Sequence, residues 1–149
     1  MSGYLLDTNA ISMLAPQSAK ERIFPPHVAI FRAWVREHGE ELFLSTVTLA
    51  EIQAGISQLE RKGASRRAAA LSHWLNAILE LYDSRTLPLT SGVALEAGRL
   101  LDRAIGAGSD PGFEDAAIAA TASVHGLTIV TANTRHFEAF DVASISPPV

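Results

Sequence analysis

Asp7, Glu51, Asp115 and Asn133 are the residues whose types and spacing suit a shared chemistry. Asp7 follows directly on the apolar run Tyr4-Leu5-Leu6, Glu51 comes after the apolar run Leu42-Phe43-Leu44, and Asn133 lies just beyond a run ending at Thr131. If those runs are parallel strands, all three residues fall toward one edge of a sheet. Asp115 opens an alanine-rich segment whose Ile118, Ala119 and Ala122 share its helical face. A lone carboxylate on an apolar stripe is costly to bury unless it is paired or bound to a metal, so this position asks for a partner. A hard cation shared with Asp7 supplies one. Oxygen ligands suit Mg2+ or Mn2+, which keep several waters and meet substrate phosphates in their open positions. Such an ion acidifies water and stabilises charge on an attacked phosphate, so phosphodiester hydrolysis is the expected reaction.

Each residue also has a simpler reading. Asp7 can cap a following helix, and the two readings are evenly balanced when it is taken alone. Thr48 to Glu51 spell a capping box, with Glu51 opposite the Leu49, Ile52, Ile56 face. Asn133 can cap a turn leading to Phe137, and Asp115 can complement a helix dipole from an exposed position. Glu96, Asp110 and Glu114 are further acids that read as solvated surface. Taken singly the caps compete well. The joint placement favours the metal site.

The elements that must position these residues follow from hydrophobic spacing. Apolar runs at residues 4–6, 42–44 and 127–131 read as buried strands, with shorter candidates at 85–89 and 142–145. Between them lie helical segments: a short one over 8–14 stopped near Pro16, and one opened by Pro25 and Pro26 that ends at Gly39. Another runs from Ser45–Thr48 to about Lys62 and is terminated by Gly63. The next carries Leu71, Trp74, Leu75, Ile78 and Tyr82 on one face, an amphipathic stripe that reads as core. Ser91 is positioned to cap a helix with Ala97, Leu100, Leu101 and Ala104 on one face, ended by Gly106 and Gly108. The alanine-rich helix then precedes the strand at 127–131, and residues 17–21 read as a loop. Strands alternating with helices imply an α/β fold with parallel pairing, because parallel strands need long crossovers. In open sheets of this kind ligands bind outside the carboxyl ends of the strands.

Composition bounds the rest. A chain of 149 residues fits one domain over 1–149, and 48% hydrophobic with 19% charged residues is a globular balance. The chain has no cysteine, which excludes disulfides and thiolate metal sites and agrees with a reducing, cytoplasmic setting. The N-terminal residues offer no basic region or apolar stretch of signal-peptide or membrane-span length. A net charge of −4 argues against broad adhesion to nucleic acid, so an RNA substrate needs cations to help. Arg61, Lys62, Arg66 and Arg67 form one basic run, read as a solvated helix junction. The histidines (His27, His38, His73, His125, His136) show no ligand-pair spacing and read as surface or packing residues. Gly106, Gly108 and Gly112 follow a helix instead of a strand and make a poor phosphate loop.

Four segments in this order, Tyr-Leu-Leu-Asp-Thr-Asn (4–9), Leu-Ser-Thr-Val-Thr-Leu-Ala-Glu-Ile (44–52), Asp-Ala-Ala-Ile-Ala-Ala-Thr-Ala (115–122) and Ile-Val-Thr-Ala-Asn-Thr-Arg-His-Phe (129–137), resemble the PIN-domain ribonucleases. Within them the likeness is to the VapC and FitB type toxins of bacterial toxin–antitoxin pairs. The resemblance implies a three-layer α/β/α sandwich with a parallel sheet of about four to five strands. It also implies a Mg2+- or Mn2+-dependent endoribonuclease, a homodimer, and inhibition by a small antitoxin laid over the groove. Asp7, Glu51 and Asp115 match the family's principal acids, and Asn133 falls where many members carry a fourth acid. Thr8 and Thr131 stand where they can orient carboxylates or waters.

Two rivals remain. Phosphotransfer folds of the response-regulator or dehalogenase kind also place an aspartate after the first strand, but the only lysines are Lys20 and Lys62, and Asn9 stands where the dehalogenase type has a second Asp. The other is an inactive PIN-like module that binds RNA or protein without cutting. The retained acidic trio speaks against it.

Overall fold

A computed structural model describes residues 3–16 and 25–148, so the expected loop at 17–21 lies outside the described residues. The strands are β1 (Tyr4–Leu6), β2 (Leu42–Ser45), β3 (Thr86–Leu87), β4 (Thr128–Val130) and β5 (Ser144–Ile145). The helices are α1 (Thr8–Ser12), α2 (Pro26–Glu37), α3 (Thr46–Arg61), α4 (Ser65–Leu81), α5 (Ser91–Gly106), α6 (Phe113–His125) and α7 (Thr134–Glu138). All strand pairs are parallel, in the order β3-β2-β1-β4-β5, with Leu5 opposite both Phe43 and Ile129.

Alternation along short strands divides the core into two. Leu5 and Ile129 face one side and pack with Ala97 and Leu100 of α5, Ile118 and Ala119 of α6, and Phe137 and Phe140. Leu6, Leu42, Leu44 and Val130 face the other and pack with Ile11, Phe31, Ile52, Ile56, Leu75 and Ile78. This is the expected three-layer α/β/α arrangement. The chain passes from β1 outward through β2 to β3, then returns to β4 on β1's other side. The order therefore reverses between β1 and β4, and a crevice opens at their carboxyl ends.

Local details depart from the sequence reading at three places. The capping box does not form: Ser45 is the N-cap of α3, its hydroxyl accepting from the Val47 N–H at 3.0 Å, and Thr48 is buried inside the helix. Ser91 is the first residue of α5, and Thr90 caps it by accepting from Val93. On α4, Leu75, Ile78 and Tyr82 are core as the spacing predicts, whereas Leu71 and Trp74 are only partly buried. Gly126 ends α6 at φ 67°, a left-handed conformation that suits glycine.

Candidate functional site

The crevice between β1 and β4 is built from backbone outward. Asp7 continues β1, its N–H donating to Val130 O at 2.9 Å, so its side chain emerges at the reversal point. There Asp7 caps α1 and is only 7% exposed. Oδ1 accepts from the Thr8 N–H at 2.8 Å, while Oδ2 accepts from Thr131 Oγ1 at 2.9 Å and Asn9 Nδ2 at 3.2 Å. Capping and site roles coincide in one carboxylate.

Thr131 is fully buried, and its hydroxyl accepts from the Asn133 N–H at 3.0 Å while donating to Asp7. Asn9 Oδ1 accepts from the Ala132 N–H at 2.9 Å. The turn after β4 is thereby fastened to the turn after β1. Thr8 extends the network to α3, its hydroxyl donating to Glu51 Oε1 at 2.8 Å. Glu51 is thus aimed toward the crevice by Thr8, and not toward a helix cap.

Asp115 reaches the same place from the first turn of α6, its side chain 32% exposed, with Oδ2 lying 3.6 Å from His136 Nδ1. A cavity of about 400 Å³ is lined by Asp7, Thr8, Asn9, Glu51, Asp115, Asn133 and His136. All four residues singled out in the sequence meet there. Asn133 stands at the N-cap of α7, as its simpler reading has it, but its side chain makes no cap hydrogen bond there. Asn9 and His136 are additions. His136 follows the same strand end as Asn133, a position that marks it as a site neighbour even without a ligand-pair motif. His38, by contrast, stacks on Trp34 as a packing residue. Among the lesser acids, Asp110 lines a smaller cleft with Asp115, Arg135 and His136, and Glu96 pairs with Arg99.

Electrostatics distinguish two of the acids. Burial pushes the Glu51 carboxyl above its usual range; the Thr8 hydroxyl opposes this, and the charges of Asp7, Glu114 and Asp115 add to it. Asp115 is likewise raised, first by burial and then by Asp7, with His136 opposing. The folded chain therefore holds like charges together at a cost. A divalent cation would offset that cost. Among the described residues no group of three or more Asp, Glu or His side chains is placed closely enough to hold a metal ion together. An open array of carboxylates around a roomy cavity fits an oxygen-preferring ion that keeps several of its waters. Asp7, Glu51 and Asp115 line that cavity and are the side chains that would hold such an ion.

Comparison with known proteins agrees with this geometry. The PIN domain family model matches residues 4–143. The chain is 32% identical over 144 residues to Toxin FitB of Neisseria gonorrhoeae, covering 96% of each. It is 29% identical to a VapC ribonuclease of Sinorhizobium fredii, again covering 96% of each. The crystal structure of FitAcB from Neisseria gonorrhoeae superposes with a TM-score of 0.78 at 34% identity, covering 97% of both chains. A DNA-bound VapBC structure from Salmonella typhimurium, at 21% identity and a TM-score of 0.75, shares the fold. With its acids at the reversal point of a parallel sheet and a match spanning nearly its whole length, the chain belongs to the PIN domain family.

Proposed function

We propose that the chain is a Mg2+- or Mn2+-dependent endoribonuclease, the toxin of a toxin–antitoxin pair, acting in the cytoplasm as a homodimer. The observation that carries this reading is the convergence of Asp7, Glu51 and Asp115 on one cavity between β1 and β4. The relatives named as a toxin and a ribonuclease support it. The likeness to FitAcB and to a FitAB complex bound to DNA supports an antitoxin partner. Among the described residues no helix is long and apolar enough to cross a membrane.

Asp7, Glu51 and Asp115 would hold the ion, which when bound supplies acidified water and offsets charge on the attacked phosphate. The chain's own residues do the positioning. Thr131 and Asn9 fix the rotation of Asp7, and Thr8 does the same for Glu51. Asn133, exposed at the cavity wall, offers an amide to water or to substrate oxygen. His136 places its Nδ1 3.6 Å from Asp115 Oδ2 at the edge of the cavity. An antitoxin that covers the cavity would exclude RNA and silence the enzyme.

The test is cleavage of single-stranded RNA by the purified chain in Mg2+ or Mn2+. Cleavage should vanish on chelation and fall at least about 100-fold in Asp7→Asn and Asp115→Asn with the fold retained. RNA binding without turnover in either metal would favour the inactive module instead. Light scattering tests the dimer.

A further inference from the structure

The basic run at the α3–α4 junction has no part in the site described above. Arg61 ends α3, Lys62 is its C-cap, Gly63 turns at φ 85°, and Arg66 and Arg67 lie in the first turn of α4. Cations in a helix's first turn oppose its dipole, and α4 has no side-chain N-cap to compensate. Arg66 therefore stands where the helix dipole alone would disfavour it. Arg61, Lys62 and Arg66 are exposed, and Arg67 donates to Pro16 O.

A groove of about 280 Å³ runs between Arg67, at the edge of this cluster, and Glu51. Arg67 and Leu59 line it, as do Leu71 and Trp74, and it shares Thr8 and Glu51 with the acid cavity. From Glu51 to Lys62 the path along α3 is about 16 Å, room for a few nucleotides of an extended strand. An aromatic face between a cationic cluster and an acidic metal site matches the parts used to hold single strands: charge for phosphates and stacking for bases.

Resting on the ribonuclease reading, we propose that this groove carries single-stranded RNA, with Trp74 stacking a base near the cut and Arg61, Lys62 and Arg66 engaging flanking phosphates. RNA is favoured over a peptide because the groove shares Thr8 and Glu51 with the acid cavity, so a strand lying in it would bring a phosphate beside the acids. The cluster also supplies local positive charge in a chain of net charge −4.

Trp74 gives a direct readout, since the chain has only one other tryptophan, Trp34, which packs between Tyr4 and His38 away from the groove. An Asp115→Asn chain, which should not cut, is titrated with an eight-nucleotide random single-stranded RNA, following tryptophan fluorescence. Quenching is expected, and Trp74→Phe in the same background should abolish it while keeping the helix packed. Trp74→Ala should weaken binding about 10-fold. Arg61→Ala with Arg66→Ala should lower the slope of log affinity against log salt by about 1.4, and in the cleaving enzyme should raise KM several-fold more than it lowers kcat. RNA that binds or is cut without moving Trp74 fluorescence, with an unchanged salt slope, overturns the proposal and leaves the nuclease reading intact. Quenching by an acidic amphipathic peptide but not by RNA overturns it in favour of a protein partner. A wild-type chain that neither binds nor cuts RNA overturns both readings.

Discussion

Thr131 Oγ1 donates to Asp7 Oδ2 across 2.9 Å, joining residues 124 positions apart at the ends of β1 and β4. The same oxygen accepts from the Asn133 N–H, so one hydroxyl sets both the buried acid and the turn that carries Asn133. Thr131→Val keeps the volume and loses these bonds together with the one the hydroxyl accepts from Asn9 Nδ2 at 3.2 Å. Expected are a stability loss of about 1–3 kcal/mol by thermal melting and a 10–100-fold fall in kcat/KM, with Thr131→Ser close to wild type. Undiminished activity in Thr131→Val would show that Asp7 needs no such support.

Thr8 and Glu51 make a second test. The Thr8 hydroxyl is the group that lowers the otherwise raised Glu51 carboxyl, so Thr8→Val should raise it further. A ligand carboxylate must be ionised to bind metal. The acid limb of the pH–rate profile should therefore move to higher pH in Thr8→Val, and return in Thr8→Ser.

Stability should run against function at Asp115. Its folded-state carboxyl is raised above the ordinary 3.8, so the folded chain binds the proton more tightly than the unfolded one. The stabilisation from that proton is complete below the ordinary value and is lost as pH rises through the raised one. Asp115→Asn removes the cost of the charge. Without added metal it should melt higher than wild type at pH 7, the difference shrinking as pH falls toward 3.8. An Asp115→Asn chain that melts lower at pH 7 would contradict the like-charge reading.

Gly126 tests the fold independently of the site. A Cβ there meets no atom within 4 Å, so the φ of 67° alone penalises substitution. Gly126→Ala should cost about 1–2 kcal/mol, and Gly126→Asn less.

Much of this architecture is legible in the sequence because burial on both faces makes parallel strands read as apolar runs. Tyr4–Leu6, Leu42–Ser45 and Thr128–Val130 stand out for that reason, and even the two-residue strands β3 and β5 fall inside expected windows. Strand order is another matter: nothing local to Leu5 says that it lies between Phe43 and Ile129, because crossover direction is settled by packing. Asp7 and Glu51 are legible from their positions after apolar strand runs, and Asp115 from its place on the apolar stripe of the alanine-rich helix. Asn9 and His136 escaped because their roles depend on partners at Ala132 and Asp115, distant in sequence. The spurious capping box arose because Thr48 and Glu51 have the right spacing, while Ser45 begins the helix three residues earlier. The stripe on α4 concealed Trp74 for a related reason: periodicity gives the face, but not whether a neighbour covers it.

Calorimetric titration of the metal-free chain with Mn2+ tests most directly whether the three carboxylates act together on one ion. Wild type should bind, and Asp7→Asn, Glu51→Gln and Asp115→Asn should each weaken binding at least about 10-fold. Binding left unchanged by all three substitutions, or absent from a correctly folded wild type, would contradict it.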